Sequence, residues 1–365
     1  MEKKKIRVGI LFGGKSAEHE VSLQSAKNVI DAINRDKYEP VLIGIDKSGK
    51  WLLNESSNFL LNSDNPKLIR LNQASDSVAL VPQSEGEISN LSRSDFSQAV
   101  DVVFPILHGP FGEDGTVQGL LKLADIPFVG AGVLGSSVGM DKDAMKRLLR
   151  DAQIPIADFM VARSGEPVPD YADVIEAFGS PFFVKPSNMG SSVGVYKVHT
   201  QEEYTQAVEG AFEYDLKIII EESINGREIE CSVLGNEDPI ASVPGEVIPH
   251  HDFYSYEAKY IDENGAGLEI PADLPGNIIE NVQDMAVRTF KVLSCEGMAR
   301  VDVFLRDDNE IVVNEINTLP GFTSISMYPK LWEASGISYT DLIERLIELA
   351  IDRYQKEKKL KTAYY

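Results

Sequence analysis

The sequence predicts a mixed fold, α/β at the start and α+β after it, in two or three domains. Three observations carry this. The chain has 365 residues, more than one ordinary core accommodates. It opens as strand, helix, strand: an apolar run Ile6–Leu11, then Leu23, Ala26, Val29, Ile30 and Ile33 at helical spacing, then Pro40–Ile45. Such a unit implies a parallel sheet with a right-handed crossover. Beyond about residue 180, short Val/Ile-rich runs alternate with polar turns around a single helical stretch, the pattern of a small α+β domain.

Taken in order, the polar loop Gly13–Glu20 leads into the first helix, for which Ser22 is a plausible cap. Residues 46–98 are polar and rich in Ser and Asn, and read as an insertion or long loops. The sheet resumes at Val100–Phe104. A loop His108–Gly115, a helix from Thr116 to Ala124 and a short strand Pro127–Gly130 follow, and a first domain over 1–138 closes. Asp141–Ala152 reads as a helix. Two hairpins are expected next: Pro181–Lys185 with Val193–Val198, and Lys217–Glu221 with Glu228–Leu234 around Asn225-Gly226, with a helix Glu202–Ala211 between them. A central domain over 139–222 and a C-terminal one over 223–365 are expected. The last helix carries Leu342, Ile343, Leu346, Ile347 and Ala350 behind the start signal Ser338-x-x-Asp341.

Bulk properties exclude some partners. Net charge is −22 and the sequence pI about 4.7, which argues against nucleic acid or an anionic membrane, since both select a basic face. Hydrophobic content of 43% is ordinary for a globular protein. Cys231 and Cys295 stand in apolar or mixed patterns and are expected as buried free thiols. No signal peptide and no membrane-length apolar run is visible, so a cytoplasmic protein is expected.

The most informative stretch is Arg300-Val-Asp302-Val-Phe-Leu, a polar turn, then Ile311-Val-Val-Asn-Glu315-Ile-Asn317. Side chains alternate along strands, so Arg300 and Asp302 share one face, and Glu315 and Asn317 share another. Paired as a hairpin, they bring two carboxylates and a carboxamide oxygen together beside a guanidinium, and hard oxygen ligands of that kind hold Mg²⁺ beside phosphates. The turn Thr318-Leu-Pro-Gly321 follows. A second constellation is the Gly/Ser loop Asn188–Gly194, with Lys185 on its incoming strand and Lys142 opening a helix. Glycine lets N–H groups approach an oxyanion, and two lysines complete a phosphate clamp. Glu221, Glu222 and Glu228 nearby suit a nucleoside's amino and hydroxyl groups. Gly9-Ile-Leu-Phe-Gly-Gly-Lys15-Ser16 also satisfies the P-loop pattern letter for letter. Its first Gly falls inside a strand, where no loop can wrap a phosphate, so the match is rejected.

Taken together, Lys142, Lys185, Gly190-Ser-Ser-Val-Gly194, Glu221 with Glu228, and Arg300, Asp302, Glu315 and Asn317 resemble an ATP-grasp enzyme. Ser16-Ala-Glu18-His-Glu-Val-Ser22, His108-Gly with Gly112-Glu-Asp-Gly115, Tyr256-Glu-Ala-Lys259-Tyr260 and Leu319-Pro-Gly321 narrow the resemblance to the D-alanine–D-alanine ligases. It runs from about residue 6 to 350. It implies an ATP-grasp fold preceded by an N-terminal parallel-sheet domain, with ATP between the central and C-terminal domains. By the same resemblance, Lys142 and Lys185 meet phosphate, Glu221 and the backbone near Ile224 meet adenine, and Glu228 meets ribose. Ser191, Ser192, Glu222, Lys259, Asn314 and Glu315 also lie along the nucleotide. Asp302, Glu315 and Asn317 resemble ligands of two Mg²⁺ ions, with Mn²⁺ as a substitute, and a monovalent cation activator is left open. Glu18 resembles the residue that orients the first D-alanine, with His108 near it. Arg300 and the Gly321 N–H resemble an oxyanion hole, and Ser326 and Lys259 lie where substrate carboxylate or transferred phosphate is met. Tyr260 and Ser191 would link with Glu18 and close a lid. A homodimer is implied as well.

Overall fold

The structure is a computed structural model that describes residues 4–54, 59–63, 65, 68–72, 76–91, 97–249, 266–361 and 363. The first part of the chain runs β1 (Ile6–Gly13), α1 (His19–Ala32), β2 (Tyr38–Ile45), β3 (Trp51–Asn54), a small pair β4 (Leu60–Leu61) and β5 (Arg70–Leu71), then β6 (Asp76–Leu80), β7 (Glu87–Asn90), β8 (Ser97–Ala99) and β9 (Val102–Ile106). The helices α2 (Thr116–Leu123), α3 (Val133–Met140) and α4 (Lys142–Asp151) follow. One sheet takes the order β8-β7-β6-β3-β2-β1-β9. Its centre is parallel, as the opening unit requires: β1 pairs with both β2 and β9 in parallel. The stretch expected as an insertion instead extends this sheet with antiparallel strands, β3 joining β2 and β6 joining β3. Short strands broken by polar turns leave too little periodicity to read. Residues Pro127–Gly130 contribute only an isolated parallel bridge, Val103 to Phe128.

Ser22 is not the helix cap. The helix starts at His19, and the buried Ser22 hydroxyl accepts from the Gly13 N–H at 2.7 Å and donates to the Ile106 carbonyl, tying β1 to β9. Asp141, by contrast, caps α4 by accepting from the Ala144 N–H.

The middle of the chain holds β10 (Phe159–Arg163), α5 (Tyr171–Phe178), β11 (Phe182–Pro186), β12 (Tyr196–Val198), α6 (Gln201–Phe212) and β13 (Lys217–Glu222). These form a sheet ordered β10-β13-β11-β12 with its own core, in which Phe182, Val184, Ile218 and Ile220 face Val174, Tyr204 and Ala207 of the helices. The last part holds β14 (Arg227–Gly235), β15 (Ile240–Ala241), β16 (Gly245–Pro249), β17 (Ala266–Glu269), α7 (Gly276–Val292), β18 (Gly297–Leu305), β19 (Ile311–Asn317), α8 (Met327–Ala334) and α9 (Tyr339–Glu357). Its sheet runs β17-β16-β14-β18-β19, with β15 beside β14. The side chains of α9 do not stay with that sheet. Leu342, Ile343, Leu346 and Ile347 join the core around β1 and α1, with Phe322 and Trp332.

The first expected hairpin forms, β11 with β12. The second does not. β13 pairs with β10 and β11, while β14 pairs with β16 and β18. Asn225-Gly226 is therefore a passage between sheets, not a tight turn. A Cβ at Gly226 would stand 2.7 Å from the Leu305 carbonyl oxygen, so glycine serves the close crossing there.

Candidate active site

The β18–β19 hairpin forms as its alternation requires. Arg300 lies opposite Asn317, and Asp302 opposite Glu315. Val301, Val303, Leu305, Val313 and Ile316 fill the core beneath. A register shift between Asp302 and Val303 leaves Asn314 partly exposed beside Glu315. On the polar face, Arg300 donates through Nε and Nη2 to the two Asp302 oxygens, both at 2.7 Å, and its Nε lies 2.7 Å from Glu230 Oε2. Asn317 Nδ2 donates to Asp302 Oδ2 at 3.0 Å. Glu230 stands opposite Asp302 on the other side, so Glu230, Asp302 and Glu315 form a row across three strands. Glu230 is missed by sequence reading, because its place depends on which strand β14 chooses as neighbour.

Lys142 links this face to the loop after β11. Its ammonium donates to the Met189 carbonyl at 2.7 Å and lies 3.8 Å from Glu315 Oε2. The loop itself turns through the left-handed region at Ser191 (φ 51°), Ser192 (φ 60°) and Gly194 (φ 69°). Two successive non-glycine residues in that region are uncommon, and each carries a backbone cost that the surrounding structure must offset. The Ser191 hydroxyl donates to Glu18 Oε1, bringing the loop onto the start of α1.

Lys185 and Glu221 meet in the interior. Glu221 is 3% exposed, and its two oxygens face Lys185 and Lys146, the latter 1% exposed. Burial pushes the Glu221 carboxyl up, but the two ammonium groups outweigh it and hold the carboxyl at about 2. The Glu221 carboxylate is thus turned toward lysines. Lys146 has no signal in sequence, since a lysine one turn beyond Lys142 reads as a solvated helix face. Glu222 accepts from the Asp158 N–H at 2.9 Å, Ile224 is half-buried in the passage to β14, and Glu228 lies opposite Phe304, two residues before Glu230.

Glu18 is buried at the head of α1 and borders Gly109, where a Cβ would stand 2.8 Å from Glu18 Oε2. His108 is buried; its Nδ1 bonds the Leu319 carbonyl at 3.0 Å and its Nε2 lies 3.5 Å from Ser25 Oγ. Burial holds its imidazole below the usual range, against the pull of Glu18. Glu113, another residue outside the sequence reading of the site, accepts from the N–H groups of Gly109 and Leu319, at 2.7 and 3.3 Å. Burial first, and the Glu18 carboxylate second, push its own carboxyl up. Ser326 Oγ would touch a Cβ at Gly321 at 2.8 Å and accepts from the Thr323 N–H at 2.9 Å. Lys259 and Tyr260 lie outside the described residues.

The pattern Gly9–Ser16 shows no P-loop geometry. Gly9 pairs within β1 with Val41 and Val103. Lys15 is exposed and sits 5.9 Å from the centre of the Phe111 ring. Cys231 and Cys295 are free and buried, and burial pushes both thiols up to about 12.

Among the described residues no three His, Cys, Asp or Glu side chains could by themselves hold a metal ion. The donors on the hairpin, two carboxylates and a carboxamide, fit Mg²⁺ that completes its shell from phosphate and water. Also among the described residues, no helix is long and apolar enough to cross a membrane.

The chain is similar to known proteins over nearly its whole length. Residues 7–131 match the family described as the N-terminus of D-ala D-ala ligase, and residues 148–348 match its C-terminus. The D-alanine–D-alanine ligase of Oceanobacillus iheyensis is 57% identical over 361 residues, 98% of this chain and 99% of that protein. The solved D-alanine–D-alanine ligase from Coxiella burnetii superposes with a TM-score of 0.85 at 39% identity, covering 98% of this chain and 97% of that one. VanG D-Ala:D-Ser ligase from Enterococcus faecalis superposes at 0.82 and 36% identity, covering 95% and 100%. With both family halves present in order and relatives matched over nearly its whole length, the chain belongs to the D-alanine–D-alanine ligase family.

Proposed function

We propose that the β18–β19 face and the Asn188–Gly194 loop are the phosphoryl-transfer half of an ATP-dependent, Mg²⁺-requiring ligase that joins two D-alanines for peptidoglycan precursor synthesis. The observation that carries it is that Lys142 stands between the loop with its left-handed serines and the paired Asp302 and Glu315, 2.7 Å from the Met189 carbonyl and 3.8 Å from Glu315. A carboxylate is a poor acyl donor, because its leaving group would be oxide. Attack of that carboxylate on the γ-phosphorus of ATP breaks the bond to ADP and gives an acyl phosphate. The amine of the second D-alanine then attacks the carbonyl, the tetrahedral oxyanion collapses, phosphate leaves with the C–O bond electrons, and the amine releases a proton.

Phosphoryl transfer is mostly positioning and charge neutralisation. Lys142 and Lys185 would supply positive charge at the phosphates, and the N–H groups around Ser191 and Ser192 would cradle them. Asp302, Glu315 and Asn317 would hold two Mg²⁺ ions, which neutralise charge on the transferring group when bound. Asn314, Ile224, Glu222 and Glu228 would line the nucleotide. Glu221, whose carboxylate serves the lysines, would offer adenine its backbone. Glu18 would meet the first D-alanine's ammonium, and Arg300 with the Gly321 N–H would face the oxyanion. Ser326 and Lys259 would take substrate carboxylate or phosphate. The Ser191–Glu18 contact supports a lid, which Tyr260 would complete, and a lid keeps water from the acyl phosphate. Segments 1–138, 139–222 and 223–365 would act as three domains, in a cytoplasmic homodimer. The test is ADP release with a panel of D- and L-amino acids and D-lactate, products identified by mass. The expected outcome is ADP formed in step with D-alanyl-D-alanine; ADP release indifferent to D-alanine would refute the reading.

A further inference from the structure

The segment Leu319–Phe322 carries the Gly321 N–H, yet the groups that fix its backbone come largely from the other end of the chain. Leu319 is held at both ends of its residue: its N–H donates to Glu113 at 3.3 Å, and its carbonyl accepts from His108 Nδ1 at 3.0 Å. Phe322 is held likewise. Its N–H donates to Ser25 Oγ at 3.1 Å, and its carbonyl accepts from Asn28 Nδ2 at 3.0 Å and the Tyr339 hydroxyl at 2.7 Å. Ser25 is fully buried on α1, and the Phe322 ring packs edge-on against Phe104 of β9, centroids 5.7 Å apart.

The direction of each bond is forced. A carbonyl can only accept, so His108 Nδ1 carries a proton. In the neutral ring Nε2 is then an acceptor, and the neighbouring Ser25 hydroxyl, already accepting from the Phe322 N–H, has its own proton to give. The chain of bonds runs from Phe322 through Ser25 and His108 back to Leu319, closing a ring around Pro320 and Gly321. Both imidazole nitrogens lie on this ring, Nδ1 at 3.0 Å from the Leu319 carbonyl and Nε2 at the longer 3.5 Å from Ser25.

We propose that Ser25, His108 and Glu113 form a backbone clamp that aims the Gly321 N–H, making them positioning residues for the oxyanion formed when the second amine attacks. This rests on the ligase reading above and adds to it the part of the molecule that sets the oxyanion hole. The clamp acts on one step. Phosphoryl transfer to the first D-alanine forms no tetrahedral carbon and does not call on the Gly321 N–H; attack on the acyl phosphate does.

The two steps can be read separately. Scrambling of ¹⁸O between the β,γ-bridge and non-bridge positions of ATP, at D-alanine concentrations that leave the second subsite mostly empty, reports acyl-phosphate formation. Dipeptide formation at saturating D-alanine reports both steps. Ser25→Ala leaves the Phe322 N–H without its partner and breaks the ring at its serine. A lost buried hydrogen bond of this kind corresponds to about a tenfold effect or more. The expected result is dipeptide formation down about tenfold with scrambling within about threefold of the parent, since the unfilled donor disturbs aim and not phosphate binding. Glu113→Gln keeps the side chain's shape and offers a second test should Ser25→Ala fold poorly by circular dichroism. It is expected to give the same split. Equal loss of both steps in the folded variants, or dipeptide formation within about twofold of the parent, overturns the clamp. Absence of D-alanine-dependent scrambling in the parent protein would instead overturn the ligase reading.

Discussion

Two glycine-rich loops of this molecule each sit beside a lysine and contain serine, and only one has the backbone that the proposed phosphate role asks for. Gly9–Ser16 satisfies a nucleotide-binding pattern in every letter. Asn188–Gly194 does not match that pattern. Yet Gly9 lies inside β1, and Lys15 rests on the Phe111 ring at the surface. In the second loop the serines take the left-handed conformation, and Lys185, on the strand leading into it, points inward to a buried charge. The lesson is that a phosphate loop is defined by where the strand ends and where the N–H groups aim. Spacing of letters reports neither.

The largest test of that contrast lies beneath the second loop. Lys146→Met removes one of two cations from buried Glu221, and should cost about 3 kcal/mol of stability at neutral pH. The pH dependence has a definite sign. The Glu221 carboxyl is depressed on folding, from an ordinary 4.5 to about 2, so it stabilises the fold above the unfolded value. That contribution is lost as pH falls from about 4.5 toward about 2. The gap between parent and variant should therefore narrow from pH 7 to pH 3 in urea titrations. A gap independent of pH would show that the ion pair is not what Lys146 supplies.

Next is the hairpin opposite the loop. Glu315→Gln keeps shape and removes one charge, and should lower kcat by about 2–3 kcal/mol of transition-state stabilisation with folding little changed. Turnover near the parent's at saturating Mg²⁺ would remove Glu315 from the site. The smallest effects compare the loops directly. Lys185→Ala should weaken ATP by roughly 1.5–3 kcal/mol, the scale of a charge-assisted hydrogen bond. Lys15→Ala should change ATP affinity by under about 0.5 kcal/mol, as for an ordinary surface residue. The reverse order, measured by ATP titration, would make the rejected pattern the nucleotide site.

Legibility in the sequence followed the range of the interaction. The β18–β19 face was readable because alternation places Arg300 with Asp302 and Glu315 with Asn317 before any partner strand is known. The opening parallel unit and the Ser338 cap were readable for the same local reason, and that cap accepts from the Asp341 N–H as expected. Glu230 was not readable, since its row exists only once β14 lies against β18. The same choice of neighbour undid the second hairpin. Asn225-Gly226 suggested a turn, but the glycine answers to the Leu305 backbone, which is 79 residues away in the chain (305 − 226). Lys146 was hidden, and Glu113, though part of the Gly112–Gly115 motif, carried no role, because polar residues on a helix and in a loop read as solvated until a second element covers them. Of Ser22, sequence gave the right helix and the wrong duty.

The four-stranded sheet that carries the Gly-rich loop is entered at Asp158 and left at Glu222, and these two residues are bonded to each other twice. The Glu222 N–H donates to the Asp158 carbonyl at 3.0 Å, and the Asp158 N–H to the Glu222 carboxylate at 2.9 Å. Both covalent tethers of that sheet thus pass through one spot, like the two leaves of a single door hinge. Turning about such a spot stretches neither tether. Glu221 adjoins that spot and is held there by Lys146 and Lys185, while the loop the sheet carries is fastened elsewhere, by Ser191 to Glu18 at the head of α1.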